Sequence, residues 1–166
     1  MLLGDGSPTR HLQLLTKKET KVRLIGMEID QLSIKKAPEE INQLKTPLIR
    51  RQVWIENNDL SLAWAESWWN IKQVRLNLTN TKDPIWKNLT KDRSELFREV
   101  DAISIVNASW LQKRFNSKGP FWSRNYRFFR NKKPLTIIRE VFNPAIEEWL
   151  GNGEIQRFSD LYSSSA

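Results

Sequence analysis

Two hairpin signatures dominate this sequence, and they restrict its fold to a sheet with antiparallel strands. The first spans residues 48–69, which are rich in β-branched and aromatic residues, and turns at Asn57-Asn58-Asp59. The second spans residues 122–142 and turns at Asn131-Lys132-Lys133. Asparagine tolerates the backbone conformation of tight turns, so each pattern predicts a pair of antiparallel strands.

Helical signals fall at the edges and termini of this strand pattern. They predict a short helix capped by Ser7 with Pro8 at its first position, a turn at 37–41, a stretch at 83–89, and a last helix from Asn143-Pro144 to Gly151. Residues 22–29 and 102–106 are predicted as further strands, whereas the rest of 95–114 has no clear periodicity. Hairpins with peripheral helices predict an α+β fold with a single antiparallel sheet and helices packed at one side and at the edges.

Composition excludes several classes of chemistry. The 166 residues suit one domain over 1–166, and the absence of cysteine removes disulfides, thiolate ligands and cysteine nucleophiles. His11 is the sole histidine, which excludes histidine-rich metal sites, and beside a helix start it is expected to be a surface or packing residue. No dinucleotide-binding or P-loop glycine motif occurs. We therefore expect no metal.

The beginning of the chain lacks the basic and apolar segments of a signal peptide, and no window is apolar enough to cross a bilayer. We therefore expect a cytoplasmic protein without a membrane partner, and the sequons at Asn77, Asn88 and Asn107 are interpreted as chance matches.

The formal net charge of +8 favours anionic partners, either the phosphates of a nucleic acid or the carboxylates of a metabolite. The basic residues are spread along the chain, which weakens the nucleic-acid interpretation. Basic residues beside tryptophans could indicate stacking on bases, but such rings more often build a core. Core positions are therefore predicted for Trp54, Trp64, Trp68, Trp69, Trp86, Trp110 and Trp122.

Arg51 is the first candidate for chemistry. In a strand it alternates away from Arg50 and shares its face with Val53 and Ile55, so it is expected to look into an aliphatic cavity. A buried guanidinium needs a counter-charge, which would be either a carboxylate of the protein or the carboxylate of a ligand.

Glu140 is the second candidate, with the opposite charge. By alternation it shares a face with Ile138 and Phe142. The pattern alone leaves three possibilities: a functional acid, a structural salt bridge to Arg51, or a side chain that faces water.

Several segments in a fixed order carry a family likeness. They are GSPTRHL at 6–12, APEEI at 37–41, LIRRQVWI at 48–55 followed by AWAES at 63–67, DPIWKNL at 83–89, WSR at 122–124, KPL at 133–135 and EVFNP at 140–144. Over nearly its whole length the chain resembles the chorismate pyruvate-lyases, particularly their cyanobacterial and plastid-encoded branch.

The resemblance implies a compact antiparallel sheet whose helices close over a buried ligand site. It implies that Arg51 binds the ring carboxylate of chorismate and that Glu140 meets the ring hydroxyl, as the catalytic residues. Backbone groups at Pro8 and Ile85 would complete the substrate-binding pocket, and Pro8 could accept a hydrogen bond but not donate one. The implied reaction yields 4-hydroxybenzoate, a quinone precursor, and pyruvate, and it needs no cofactor.

Two departures from the family pattern bear on the site. Glu66 stands where the better-known bacterial enzymes have a second arginine, so it must point away from a dianion or pair with a base. Arg124, Arg127 or Arg139 could supply the missing charge. One extra residue between Pro134 and Glu140 predicts a bulge.

The function expected from these residues is a carbon–oxygen lyase with chorismate as its partner, in a monomer or a weak homo-oligomer. A non-catalytic effector-binding domain of the same fold is the alternative. Such domains normally follow a helix-turn-helix domain, and the likeness begins within the first ten residues, which favours the enzyme. A basic nucleic-acid binder is the third interpretation and predicts salt-sensitive binding, but we expect no nucleic-acid partner.

Overall fold

A computed structural model describes residues 7–29, 37–58, 60–91 and 95–150, and these residues form one six-stranded antiparallel sheet. The strands are β1 (Lys21–Ile29), β2 (Leu48–Asn57), β3 (Leu60–Asn70), β4 (Phe97–Val106), β5 (Phe121–Arg130) and β6 (Lys133–Phe142). Their order across the sheet is β1-β2-β3-β6-β5-β4, so β6 lies near the centre, with β1 and β4 at the edges. The predicted α+β class with a single antiparallel sheet is confirmed.

The helices are short and flank the sheet. They are α1 (Pro8–Thr16), α2 (Ile71–Asn77), α3 (Ile85–Leu89) and α4 (Ser109–Phe115), with 3₁₀ turns at Glu39–Gln43 and Pro144–Trp149. Helical structure at the four predicted places is confirmed, although the last is a 3₁₀ turn. Its predicted end at Gly151 lies outside the described residues, as does Asp59 of the first turn.

Two helices and part of a strand have no counterpart in the sequence prediction. Helix α2 follows β3 directly, and its start depends on a local cap in which the Asn70 side chain accepts a hydrogen bond from the Lys72 amide at 2.9 Å. Helix α4 lies in the segment without clear periodicity, and β4 begins at Phe97 instead of residue 102. Both helices span only seven residues, too few for a helical repeat to be distinct.

The residues at the two hairpin turns have the backbone conformation expected of tight turns. Asn131 and Lys132 both have positive φ, at 51° and 60°, and Asn58 has a φ of 47°. Two consecutive residues with positive φ make the turn type that follows the natural twist of a two-stranded ribbon.

The predicted bulge in β6 is confirmed and falls on Leu135. Phe129 pairs with Pro134, whereas Phe128 pairs with Thr136, so Leu135 is the extra residue. The bulge shifts the pairing of the rest of β6 with β5 by one residue, and it places Glu140 opposite Arg124. Without the bulge, the same turn would place Glu140 opposite Ser123.

Side-chain alternation gives the sheet two covered faces. On one face, α1 packs Leu12 into a cluster with Val53 and Phe142, while α2 and α3 contribute Val74 and Leu89 to a second cluster. The opposite face packs against α4 and the 3₁₀ turn Glu39–Gln43. The first face carries the candidate site, because the two clusters leave a space between them.

The core prediction for the tryptophans holds for the central strands. Trp54, Trp64, Trp68 and Trp69 are buried, which confirms the packing role. Trp86 is partly buried, and Trp110 and Trp122 are about half exposed, at 48% and 50%. In the part of the chain that is described, no helix combines the length and apolar character needed to cross a membrane.

Candidate active site

A cavity lies between the sheet and the first turns of two helices. Its floor comes from β2, β3, β5 and β6 with one residue each from β1 and β4, and its cover comes from residues at the starts of α1 and α3. Counted with the solvent at its mouth, the space between these elements is about 460 Å³. The lining residues are Ser7, Pro8, Thr9, Val22, Arg51, Val53, Ile55, Ala65, Glu66, Ser67, Pro84, Ile85, Trp86, Arg98, Tyr126, Phe128, Ile138 and Glu140.

Arg51 is buried in this cavity with 2% of its surface exposed. Its Nε and Nη2 donate to the Thr81 carbonyl at 3.2 and 2.7 Å, and Nη2 also donates to the Asp83 carbonyl at 3.2 Å. Among the described residues, no carboxylate forms a salt bridge with it. Burial lowers the pKa of Arg51 to about 10, so the guanidinium remains charged at neutral pH without an acidic partner.

The loop that holds Arg51 is fixed by a buried asparagine of α3. The Asn88 Nδ2 donates to the Asn80 carbonyl at 3.0 Å, and its Oδ1 accepts from the Asn80 amide at 3.3 Å. These bonds set the path of the chain from Thr79 to Pro84, which presents the carbonyls of Thr81 and Asp83 to Arg51. The side chain of Asn88 therefore has a positioning role, consistent with interpreting its sequon as a chance match.

Glu140 is also buried, but unlike Arg51 it has an oppositely charged partner, Arg124. Its Oε2 accepts from Arg124 Nε at 2.7 Å, and its Oε1 accepts from the Tyr126 hydroxyl at 2.8 Å. Burial and the Glu140 charge raise the pKa of Tyr126 well above its usual value, so Tyr126 stays protonated and donates. Burial acts to lower the pKa of Arg124, but the Glu140 charge, Tyr126 and the hydrogen bond to Glu140 together outweigh it, so the pKa of Arg124 is raised.

The structural salt bridge between Arg51 and Glu140 is therefore not formed, and Glu140 does not face water. Both residues line the same cavity, together with Pro8 and Ile85. Strands β2 and β6 are two positions apart in the sheet, about 10 Å at the usual spacing. The two groups face the cavity from separate places, and a ligand could contact both.

The carboxylate of Glu66 does not face the cavity, so it would not repel an anion bound there. By alternation its side chain lies on the other face of β3, where its Oε1 accepts from Arg139 Nη1 at 3.0 Å. Burial raises the pKa of Glu66, with the nearby Arg139 acting against this. The interpretation that the acid points away and pairs with a base is confirmed.

The three arginines considered as replacements lie in different places. Arg139 is paired with Glu66, and Arg127 Nε donates to Asp101 at 2.9 Å; neither lines the cavity. Arg124 is fully buried and engaged with Glu140. The second cation that lines the cavity is Arg98, which the sequence did not single out.

Arg98, Tyr126 and Trp86 are site residues that sequence reasoning missed. Arg98 and Tyr126 lie on β4 and β5, and Trp86 follows Ile85 in α3. Alternation in β5 would have placed Tyr126 on the face of Phe128, but no pattern marked this face as the ligand face. Arg98 falls in the part of β4 that was not predicted as strand.

A second cleft adjoins the mouth of the cavity and shares Ser7, Thr9, Val22, Pro84 and Trp86 with it. Its remaining charged residues are Arg10, Glu19, Lys21, Lys82, Asp83 and Lys87. The two acids pair with Lys21 and Lys87 at 3.4 and 3.3 Å, which leaves the cleft with a net positive charge.

His11 lies on α1 outside the cavity lining, and burial together with Arg124 lowers its pKa.

Comparison with known proteins gives the same family as the sequence segments. A family model described as "Chorismate pyruvate-lyase Rv2949c-like" matches residues 2–150. The "Uncharacterized protein ycf21" of Cyanophora paradoxa is 36% identical over 148 residues, which cover 89% of this chain and 77% of the relative. Its namesake in Porphyra purpurea is 37% identical over 150 residues, covering 90% and 82%.

Solved structures with a similar fold include domains of transcription regulators. The effector domain of PhnF from Mycobacterium smegmatis superposes with a TM-score of 0.64 at 8% identity, covering 86% of this chain and 91% of the domain. The C-terminal domain of the histidine utilization repressor from Pseudomonas syringae gives 0.60 at 12% identity, covering 76% and 93%. At such low identity these likenesses show the fold alone.

Proposed function

The chain belongs to the Rv2949c-like chorismate pyruvate-lyase family, and we propose that it converts chorismate to 4-hydroxybenzoate and pyruvate in the cavity between Arg51 and Glu140. In this proposal Arg51 binds the ring carboxylate, and Glu140 accepts a hydrogen bond from the ring hydroxyl. Pro8 and Ile85 close the pocket over the ring.

The observation that carries the proposal is the buried charge of Arg51, which no acid among the described residues compensates. An ion that is buried without a counter-ion typically costs a protein several kcal/mol. Two backbone carbonyls orient the Arg51 guanidinium but do not neutralise it. A ligand carboxylate would supply the missing charge, and it would bind through Nη1, because Nε and Nη2 already donate to the two carbonyls.

The remaining groups suit the hydroxyl end of the ring. Each oxygen of Glu140 already accepts one hydrogen bond, from Arg124 or from Tyr126, and keeps a further lone pair for a ligand hydroxyl. Because both oxygens are held in place, we assign Glu140 to positioning the hydroxyl and not to general-base work.

The reaction is an elimination that balances within the substrate. The ring carbon that bears the hydroxyl loses its proton, the bond from the neighbouring ring carbon to the enolpyruvyl oxygen breaks, and the ring becomes aromatic. The proton ends on the methyl group of pyruvate. Aromatisation supplies the driving force, so the protein needs mainly to hold the reactive conformer and exclude water. No cofactor enters this balance.

A non-catalytic effector-binding domain is the second candidate, favoured by the fold likeness to regulator domains. It would use the same cavity and the same arginine, but it would bind a carboxylate ligand without changing it. Turnover therefore separates the two candidates, whereas binding does not.

Incubation of the purified protein with chorismate tests the proposal. We expect pyruvate and 4-hydroxybenzoate in equal amounts, with the same rate in the presence of EDTA. Pyruvate would be measured by a lactate dehydrogenase coupled assay and 4-hydroxybenzoate by liquid chromatography, each corrected for the spontaneous decay of chorismate. Binding of chorismate without product formation would favour the effector-binding domain instead.

A further inference from the structure

The positively charged cleft at the mouth of the cavity has no part in the proposed chemistry. It shares five lining residues with the cavity, so a ligand that enters on this side passes through it. We infer that Arg10 and Lys82 in this cleft capture the anionic substrate and direct it inward to Arg51. This inference rests on the proposed function for the place of the site, because it concerns a carboxylate ligand that binds Arg51.

Each of the two cations belongs to one of the segments that cover the cavity. Arg10 lies in the first turn of α1, directly after Thr9, which lines both the cavity and the cleft. Lys82 lies in the loop that leads into α3. Both side chains are exposed, and both line the cleft. An anion that approaches the mouth therefore meets one cation from each covering segment.

The backbone around Lys82 connects the cleft to the arginine of the cavity. The carbonyls of Thr81 and Asp83 accept hydrogen bonds from Arg51 Nη2 at 2.7 and 3.2 Å. Lys82 is the residue between these two carbonyls, and its exposed side chain lines the cleft. The same loop thus holds one cation inside the cavity and places another outside. An anion that leaves Lys82 in the inward direction approaches the positive charge of Arg51.

The charge of the cleft comes mainly from these two residues. Each of the two acids that line the cleft is paired with a lysine, so these four charges largely cancel. Arg10 and Lys82 are the remaining cations of the lining, and neither forms a salt bridge within the part of the chain that the structure describes. Clefts lined by charge of one sign raise the association rate of oppositely charged ligands by about 10- to 1,000-fold.

The double variant Arg10→Glu/Lys82→Glu tests the inference through association rates. One ligand is 4-hydroxybenzoate, which carries one negative charge. The other is 3-(carboxymethoxy)-4-hydroxybenzoate, which carries two, keeps the ring hydroxyl and cannot undergo the elimination because its ring is already aromatic. Stopped-flow tryptophan fluorescence measures the association and dissociation rate constants of each ligand, since Trp86 lines both the cavity and the cleft.

We expect the association rate constant of the dianion to fall by about 10-fold at 0.1 M ionic strength, and that of the monoanion by about 3-fold, because the electrostatic energy is proportional to the charge of the ligand. The dissociation rate constants should change by less than about 2-fold, as is usual for charges at the rim of a site. At about 1 M salt, where the screening length is about 3 Å, most of the difference from wild type should disappear.

Lys45→Glu/Lys113→Glu is the matched control. It changes the net charge by the same amount, but its exposed residues line neither the cavity nor the cleft, and their segments pack on the opposite face of the sheet. Because charges farther away than about 10 Å are largely screened at 0.1 M ionic strength, its association rate constants should stay within about 2-fold of those of wild type.

Two results contradict the inference. Association rate constants equal to those of the control variant would show that Arg10 and Lys82 do not capture the ligand. A decrease that is the same for both ligands and persists at about 1 M salt would show an altered shape of the entrance instead. If the glutamate variant does not fold, Arg10→Gln/Lys82→Gln is compared in the same way. Normal binding by wild type with unchanged rates in the variant overturns the inference alone, whereas binding of neither ligand to wild type overturns the proposed function as well.

Discussion

Replacement of Arg51 with methionine is expected to lower kcat/KM for chorismate by at least about 100-fold while the protein keeps its fold. Loss of one partner from a buried charge pair costs roughly 2–5 kcal/mol of binding free energy. No acid among the described residues competes with the ligand carboxylate for Arg51, so the variant should lose the full interaction. Initial rates over a range of chorismate concentrations measure the effect.

Arg50→Met is the control for this variant, because Arg50 is adjacent in β2 but points to the other face. Its Nη2 donates to exposed Glu28 at 2.8 Å, a pair whose loss should cost less than about 1 kcal/mol of stability. Stability should change little in Arg51→Met as well. The variant leaves two backbone carbonyls without their donor, but it also removes a buried charge that no acid in the described part of the chain balances. Equal activity of the two variants would remove Arg51 from the site.

Replacement of Glu140 with leucine is expected to lower the free energy of unfolding by about 3–5 kcal/mol, because it leaves Arg124 buried without its counter-ion. The double variant Arg124→Met/Glu140→Leu should recover most of this loss, since an apolar pair can replace a buried ion pair at little cost. Recovery should be incomplete, because the Tyr126 hydroxyl loses its acceptor in both variants. Urea unfolding followed by tryptophan fluorescence measures the difference.

Activity separates the two roles of Glu140. Neither the single nor the double variant should turn over chorismate, because both lack the acceptor for the ring hydroxyl. A double variant no more stable than Glu140→Leu alone would show that the Arg124–Glu140 pair does not behave as a coupled unit.

The sequence predicted the framework well, because its signals are local. Asparagine turns define both hairpins, and alternation places Arg51 with Val53 and Glu140 with Phe142 on inward faces. The extra residue between Pro134 and Glu140 predicted the bulge that now proves to be Leu135. The turns and the alternation depend on neighbouring residues alone, whereas the bulge was predicted because this chain has one residue more than the family pattern.

The partners of the site residues could not be predicted in the same way. Glu140 meets Arg124 because the bulge shifts the ladder by one residue, and the direction of that shift is settled by packing of the whole hairpin. Arg51 is held by carbonyls about thirty residues away, on a loop shaped by Asn88. Alternation predicts the face of the sheet on which a side chain lies, but it does not predict which distant segment covers that face.

Arg98 was missed for a different reason. It lies on edge strand β4, where the register shifts between Val100 and Ala102 and the outer residues are largely exposed. Edge strands are often polar and interrupted by bulges, so their alternation is weak in the sequence. The likeness to chorismate pyruvate-lyases indicated Arg51 and Glu140, but it gave no position for this second cation.

Binding of two ligands of nearly the same shape, one anionic and one neutral, tests the role of Arg51 most directly. The ligands are 4-hydroxybenzoate and its neutral isostere 4-hydroxybenzamide, titrated by calorimetry into wild type and Arg51→Met. The acid should bind wild type at least about 100-fold more tightly than the amide, and Arg51→Met should lose most of that preference. Equal affinities of the two ligands for wild type would contradict the proposal that the buried guanidinium of Arg51 binds the carboxylate of the ligand.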